Sequence, residues 1–151
     1  MALIPTRTGL AAWRSFLEAH AAVTAVLGRE LDSERALPLA WYDVLVHLSE
    51  ASNGRLRMQD LASRVLLSKS GLTRLCDRME AAGYVRRRPC SSYGRGVEAA
   101  LTAAGRSALR AAAPVHLRGV QRHFVGILSD DEVRAVTAVM ERVRDHSRQE
   151  E

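Results

Sequence analysis

Between Ser68 and Met79 the chain sets two kinds of side chain in a fixed rhythm. Leu72, Leu75, Cys76 and Met79 fall at i, i+3, i+4 and i+7, the spacing of one apolar stripe on a helix. Ser68, Lys69, Ser70, Thr73, Arg74 and Arg78, with Gly71 among them, fall off that stripe and carry hydrogen-bond donors. A helix held by one side and rich in donors on the other suits the major groove of a DNA duplex, where base edges present acceptors. Arg74 has the fork that matches guanine, and Ser68, Ser70 and Thr73 can face bases or nearby phosphates. Lys69, Arg78 and Arg64 are better placed for phosphates, which position a protein without specifying sequence. Arg95 stands in a Gly/Ser-rich stretch, from which a guanidinium can enter a minor groove. The plain alternative is an ordinary solvated helix face.

Charge points the same way. The chain has 151 residues and a net charge of +5. Ten basic residues lie between Arg55 and Arg95, with Arg57 and Arg88 among them as further candidate DNA contacts, against only Asp60, Asp77 and Glu80. The flanks hold twelve basic and fourteen acidic residues. A basic middle between near-neutral ends is the footprint of a polyanion-binding module. Arg86, Arg87 and Arg88 cannot all reach DNA, because alternate residues of a strand face opposite sides.

Elements must position these groups. Leu10, Trp13, Phe16, Leu17, Val23, Val26, Leu27 and Leu31 recur at helical steps and predict a long helix over 9–31, broken from Asp32 to Pro38. Pro38 fits the first turn of a second helix, about 39–49. Ser52-Asn53-Gly54 signals a turn. Short helices follow over 58–65 and about 69–82, with Ser68 as N-cap and Gly83 closing the second. Two short strands around residues 91–96 read as a hairpin. A helix from Thr102 to about Gly126 contains Pro114 as a kink or break. Ser129 and Glu132 form a capping box for a last helix toward His146. The fold class is therefore mostly α: a winged helix-turn-helix with a small β-hairpin wing, between helices at both ends. Its segments are 1–37, 38–101 for DNA binding, and 102–151.

Other chemistries find little support. No phosphate-binding glycine loop, HExxH or nucleophile elbow is present, so an enzyme is not expected. Two cysteines are too few for a disulfide framework. Cys76 on the stripe reads as a buried structural thiol, while Cys90 beside Arg88 keeps redox sensing open as an alternative. The five histidines show no zinc spacing, and neither metal nor cofactor is expected. Arg14 and Glu18 interrupt any secretory segment, and no apolar run approaches the roughly 18 residues of a membrane span, so a cytoplasmic protein is expected.

The stretches Leu56–Ala62 and Ser68–Val85 resemble the MarR family of regulators. So do Trp41-Tyr42-Asp43-Val44-Leu45 and Leu101-Thr102-Ala103-Ala104-Gly105. The resemblance implies a homodimer with two winged domains, in which the terminal helices of 1–37 and 102–151 intertwine as the dimerisation region. It also implies a repressor of adjacent genes, released by a small molecule or an oxidant. Effector sites of the family lie near Trp13, Phe16, His20, Trp41 and Leu45, which would suit an aromatic or phenolic molecule; the plain alternative is that they are core. The wing departs from the family's usual Asp-x-Arg, since Tyr93-Gly94-Arg95 keeps the arginine without the acid. A winged-helix interaction module without DNA readout therefore stays open. The family's hydroperoxide sensors use a cysteine in the first helix, and this chain has none there. The leading expectation is a dimer reading a pseudo-palindromic duplex.

Overall fold

The computed structural model describes residues 4–65, 67–90 and 96–149. Helix α1 spans Arg7–Arg35 and outruns its expected end. Nothing from Asp32 to Arg35 forbids a helix. The stop comes from Pro38, which pushes the preceding residue out of helical geometry. Ala36 takes a left-handed φ of 50°, and its N–H closes on the Asp32 carbonyl at 2.8 Å. Helix α2, Leu39–Glu50, then starts with Pro38 as its N-cap residue.

A tight turn at Ser52–Gly54 follows, with Asn53 and Gly54 at φ 60° and 66°. It feeds a short strand the periodicity did not predict, β1, Arg55–Arg57. Three residues carry too little alternation to be seen in sequence. Helices α3, Met58–Val65, and α4, Lys69–Ala81, come next. Strands β2, Val85–Pro89, and β3, Val97–Leu101, complete an antiparallel sheet ordered β1-β3-β2. In its register Glu98 stands opposite Arg57 on one side and Arg88 on the other. Helix α5, Ala103–His123, runs on through Pro114 without ending there. Helix α6, Asp130–Gln149, opens on the expected capping box. The Ser129 N–H donates to Glu132 at 2.8 Å, and the Glu132 N–H returns to the Ser129 hydroxyl at 3.3 Å.

The chain divides into two units, Thr24–His116 and the remainder, Met1–Val23 with Leu117–Glu151. This boundary differs from the one at residues 37 and 101. Leu27 and Leu31 of α1, and Ala112 and Val115 of α5, are buried with the winged unit. That unit's core is built on Leu31, Val44, Leu45, Leu48, Leu61, Leu72, Met79 and Val85. In the other unit, among the described residues, no apolar side chain is classed as buried core. No described helix is long and apolar enough to cross a membrane.

One arginine fastens the sheet to α4. The Arg87 guanidinium donates to Glu80 at 2.9 and 3.1 Å and also to Asp77. Its backbone N–H donates to Glu80 at 2.8 Å. Charge-assisted bonds of this kind are about twice as strong as neutral ones. Together they hold the Glu80 carboxyl below the usual carboxylate range, first through the backbone bond and then through the guanidinium.

Two predictions follow from this packing. A Cβ at Gly105 would lie 2.1 Å from the Tyr84 carbonyl oxygen and 2.9 Å from Leu101. Gly105→Ala should therefore cost about 3 kcal/mol in urea unfolding, whereas Gly28→Ala, at a helical position where the new Cβ would make an ordinary contact with Leu39 at 3.8 Å, should stabilise by up to about 1 kcal/mol. The Glu80 tie is fully present above the ordinary glutamate pKa and fades as pH falls through the lowered one. Stability should drop as pH falls below about 5, and Glu80→Gln should flatten that part of the curve.

Candidate nucleic-acid interface

Helix α4 is defined at both ends. Ser68 is extended and its hydroxyl accepts the Gly71 N–H at 3.1 Å, capping the first turn. Its far end closes through Gly83 at φ 81°. The Tyr84 N–H reaches the Met79 carbonyl and the Gly83 N–H reaches the Glu80 carbonyl, each at 2.9 Å. Between the caps the apolar stripe is buried: Leu72, Leu75, Cys76 and Met79 are at most 4% exposed. Burial pushes the Cys76 thiol up to about 11, which fits an inert structural cysteine.

The opposite face is open. Ser68, Lys69, Ser70, Thr73, Arg74 and Arg78 are exposed, and Gly71 is half-buried. Arg64, in the last turn of α3, is exposed too. The α4 residues that the spacing singled out thus lie off its buried stripe. The structure changes the chemistry of one. The Thr73 hydroxyl donates to the Lys69 carbonyl at 2.8 Å, so toward a base it offers an acceptor and a methyl group. The Ser68 and Ser70 hydroxyls lie 3.3 Å apart. The strongest donors left on the face are Arg74, Lys69 and Arg78.

Strand β2 sorts its three arginines. Arg86 and Arg88 are exposed, while Arg87 is half-buried against α4. Arg88 keeps an ion pair, its Nε donating to Glu98 at 2.9 Å. Arg57 sits half-buried at the end of β1. A cleft of about 380 Å³ opens between these elements, lined by Arg57, Gln59, Lys69, Leu72, Thr73 and Val97 among others. Gln59 was not among the sequence candidates, because nothing in its spacing marks the start of α3 as part of this surface. Glu80, Asp77 and Glu98 were missed as well, since their roles depend on which cations the sheet register sets beside them. Tyr93, Gly94 and Arg95 lie outside the described residues.

The proposed effector residues belong to both units. Trp13, Phe16 and His20 form a ladder of rings along α1, with centroids 5.8 and 6.4 Å apart. Trp13 and Phe16 are exposed. Leu45 is fully buried in the winged unit's core, so it serves packing and does not face an open pocket. Trp41 packs edge-on against Tyr84, with centroids 5.9 Å apart. Cys90 is half-buried, its N–H bonded to the Gly96 carbonyl at 2.9 Å. His116 stacks on Tyr42 at 4.4 Å with its Nδ1 buried and unbonded. Burial lowers the His116 pKa, against an opposing pull from Asp43. Among the described residues no three His, Cys, Asp or Glu side chains gather as a metal site would require.

A sequence model of the MarR family matches residues 37–96, the winged domain. The whole chain is similar to AbsC, a MarR family transcriptional regulator from Streptomyces coelicolor. The identity is 36%, the TM-score 0.87, and 98% of this chain and 99% of that one are covered. It is also similar to Sco3205, a MarR family regulator from the same organism whose crystal structure is a complex with DNA. There the identity is 32%, the TM-score 0.86, and the coverage 96% and 91%. An uncharacterised HTH-type transcriptional regulator of Bacillus cereus is 28% identical over 115 residues, 76% of this chain and 75% of that protein. A capped, donor-faced helix beside a three-stranded wing base, over the full length shared with these regulators, makes this chain a member of the MarR family of DNA-binding transcription regulators.

Proposed function

We propose that the chain works as a homodimeric repressor that sets α4 of each protomer into successive major grooves of a pseudo-palindromic operator. The observation that carries the reading is α4 itself. Its apolar half is closed in the core, and its exposed half presents Lys69, Thr73, Arg74 and Arg78. The relationship to Sco3205, whose crystal structure is a complex with DNA, supports DNA as the partner. Arg74 reads a base, Thr73 offers an acceptor or its methyl, and Lys69, Arg78 and Arg64 hold phosphates.

Dimerisation is supported by what the second unit lacks. Leu10, Leu17, Leu117, Ile127, Met140 and Val143 are exposed there, and among the described residues this unit contributes no side chain to the buried core. Exposed apolar patches of this kind mark association surfaces. A twofold pair of reading helices then fits half-sites one helical turn apart, about 34–36 Å. Repression follows from covering a promoter. A small aromatic or phenolic effector would release it by favouring a state in which the two helices no longer match the operator. The exposed ring ladder Trp13, Phe16 and His20 supports a site on the first half of α1.

Selection from a random duplex pool at two salt concentrations tests the reading. A palindromic site recovered with half-sites one turn apart, and an affinity falling steeply with salt, is the expected result. No enriched sequence from folded protein would overturn it. Arg74→Ala should weaken the selected site by about 1–3 kcal/mol and relax preference at one base pair per half-site, whereas Arg78→Ala should weaken all duplexes alike. Ile127→Glu with Val143→Glu should yield monomers in sedimentation and abolish tight operator binding. A dimer that survives both substitutions would place the interface elsewhere. A panel of phenolic and aromatic acids that leaves both melting temperature and operator affinity unchanged would exclude the effector class.

A further inference from the structure

Glu98 is the one acidic residue of the three strands. It sits on β3, the central strand, and its side chain is 14% exposed. The same carboxylate oxygen accepts the Arg88 Nε at 2.9 Å from β2 and lies 3.5 Å from the Arg55 Nη1 on β1. One acid therefore spans all three strands at the foot of the wing. Both partners are much more open, with Arg88 at 47% and Arg55 at 35% side-chain exposure. Pairs that exposed contribute little to stability. A carboxylate mostly covered by two strands' arginines, with so small a return in stability, points to a different purpose.

We propose that Glu98 is a positioning residue for DNA reading, restraining Arg88 so that the wing base does not bind phosphate indiscriminately. A guanidinium held through Nε keeps its direction and presents only its outer edge. A neutral residue at 98 would let Arg88 swing to whichever phosphate lies nearest. That contact carries no sequence information, so it strengthens binding to every duplex. The operator gains less, because its phosphates are already engaged in register. Glu98 thus sets the ratio of specific to non-specific affinity. This inference rests on the reading of α4 and the wing as the DNA face.

The test compares full-length wild type and Glu98→Gln on two probes, the duplex recovered by wild type from a random pool and a scrambled duplex of equal length. For Glu98→Gln we expect scrambled-duplex affinity to rise about tenfold and the operator-to-scrambled ratio to fall several-fold. The salt slope on the scrambled probe should steepen by about 0.9 for each phosphate newly engaged. In an Arg88→Ala background the same substitution should change neither the ratio nor the slope. An unchanged ratio and slope in Glu98→Gln would overturn the proposal. So would an equal loss on both probes with a lowered melting temperature, which would reduce Glu98 to a prop of the sheet. Persistence of the effect without Arg88 would overturn the assignment to that arginine. If wild type itself recovers no duplex, the DNA-face reading fails first.

Discussion

Everything at the proposed DNA face depends on which side of α4 is buried. Four side chains, Leu72, Leu75, Cys76 and Met79, settle that. Burying them contributes on the order of 2 kcal/mol each, more than any single surface contact on the helix. Rotating α4 by one residue position would expose part of that stripe and bury Thr73 or Arg74. The rotation is therefore fixed by apolar packing, and the polar face inherits its direction from it. The two caps fix the position along the axis, Ser68 at one end and the Gly83 closure at the other. The chemistry of recognition is then a consequence of packing done behind it.

Electrostatics adjusts what packing has placed. Arg87 points back from β2 to α4 and meets two carboxylates one helical turn apart, Asp77 and Glu80. The tie makes helix and wing base one body. A wing loosely joined to its helix would blur the geometry on which paired base and phosphate contacts depend, so this arginine aids recognition without facing the duplex. Arg88, next along the strand, points to the other side and is met by Glu98. Neighbouring residues of identical type thus take separate tasks, assigned by the strand's alternation and by where acids happen to stand.

Much of this was legible in the sequence. The α4 stripe, its N-cap, its closing glycine and the capping box at Ser129 are local patterns, and each appears as the spacing predicts. The MarR resemblance was carried by the same stretch. Other features could not be read. Strand β1 is three residues long and exists because β3 offers it a partner. Helix α1 passes Asp32 because only Pro38 truly forbids it. The unit boundary at Thr24 and His116 depends on which helix turns reach the winged core, and periodicity along α1 is continuous across it. Leu45 looked available for a pocket wall, yet a helix stripe cannot say how deep its members lie. The Thr73 hydroxyl looked like a donor to DNA, yet its proton goes to its own helix. In each case the missing information was tertiary, a partner distant in sequence or a depth.

The same limit applies to charge. Ten cations in the basic segment suggest ten possible phosphate contacts. Three of them, Arg55, Arg87 and Arg88, are engaged by Glu98, Glu80 and Asp77. Arg64, Lys69, Arg74, Arg78 and Arg86 make no ion pair among the described residues and are exposed. Counterion release scales with cations that actually neutralise phosphate, not with formal charge. The effective electrostatic footprint is therefore close to half of the sequence count, and it is concentrated on α4 and the end of α3. A protein whose non-specific attraction is trimmed in this way gives up some affinity for every duplex. What remains is weighted toward the helix proposed to read bases, which is the condition under which one operator can stand out among many competing sites.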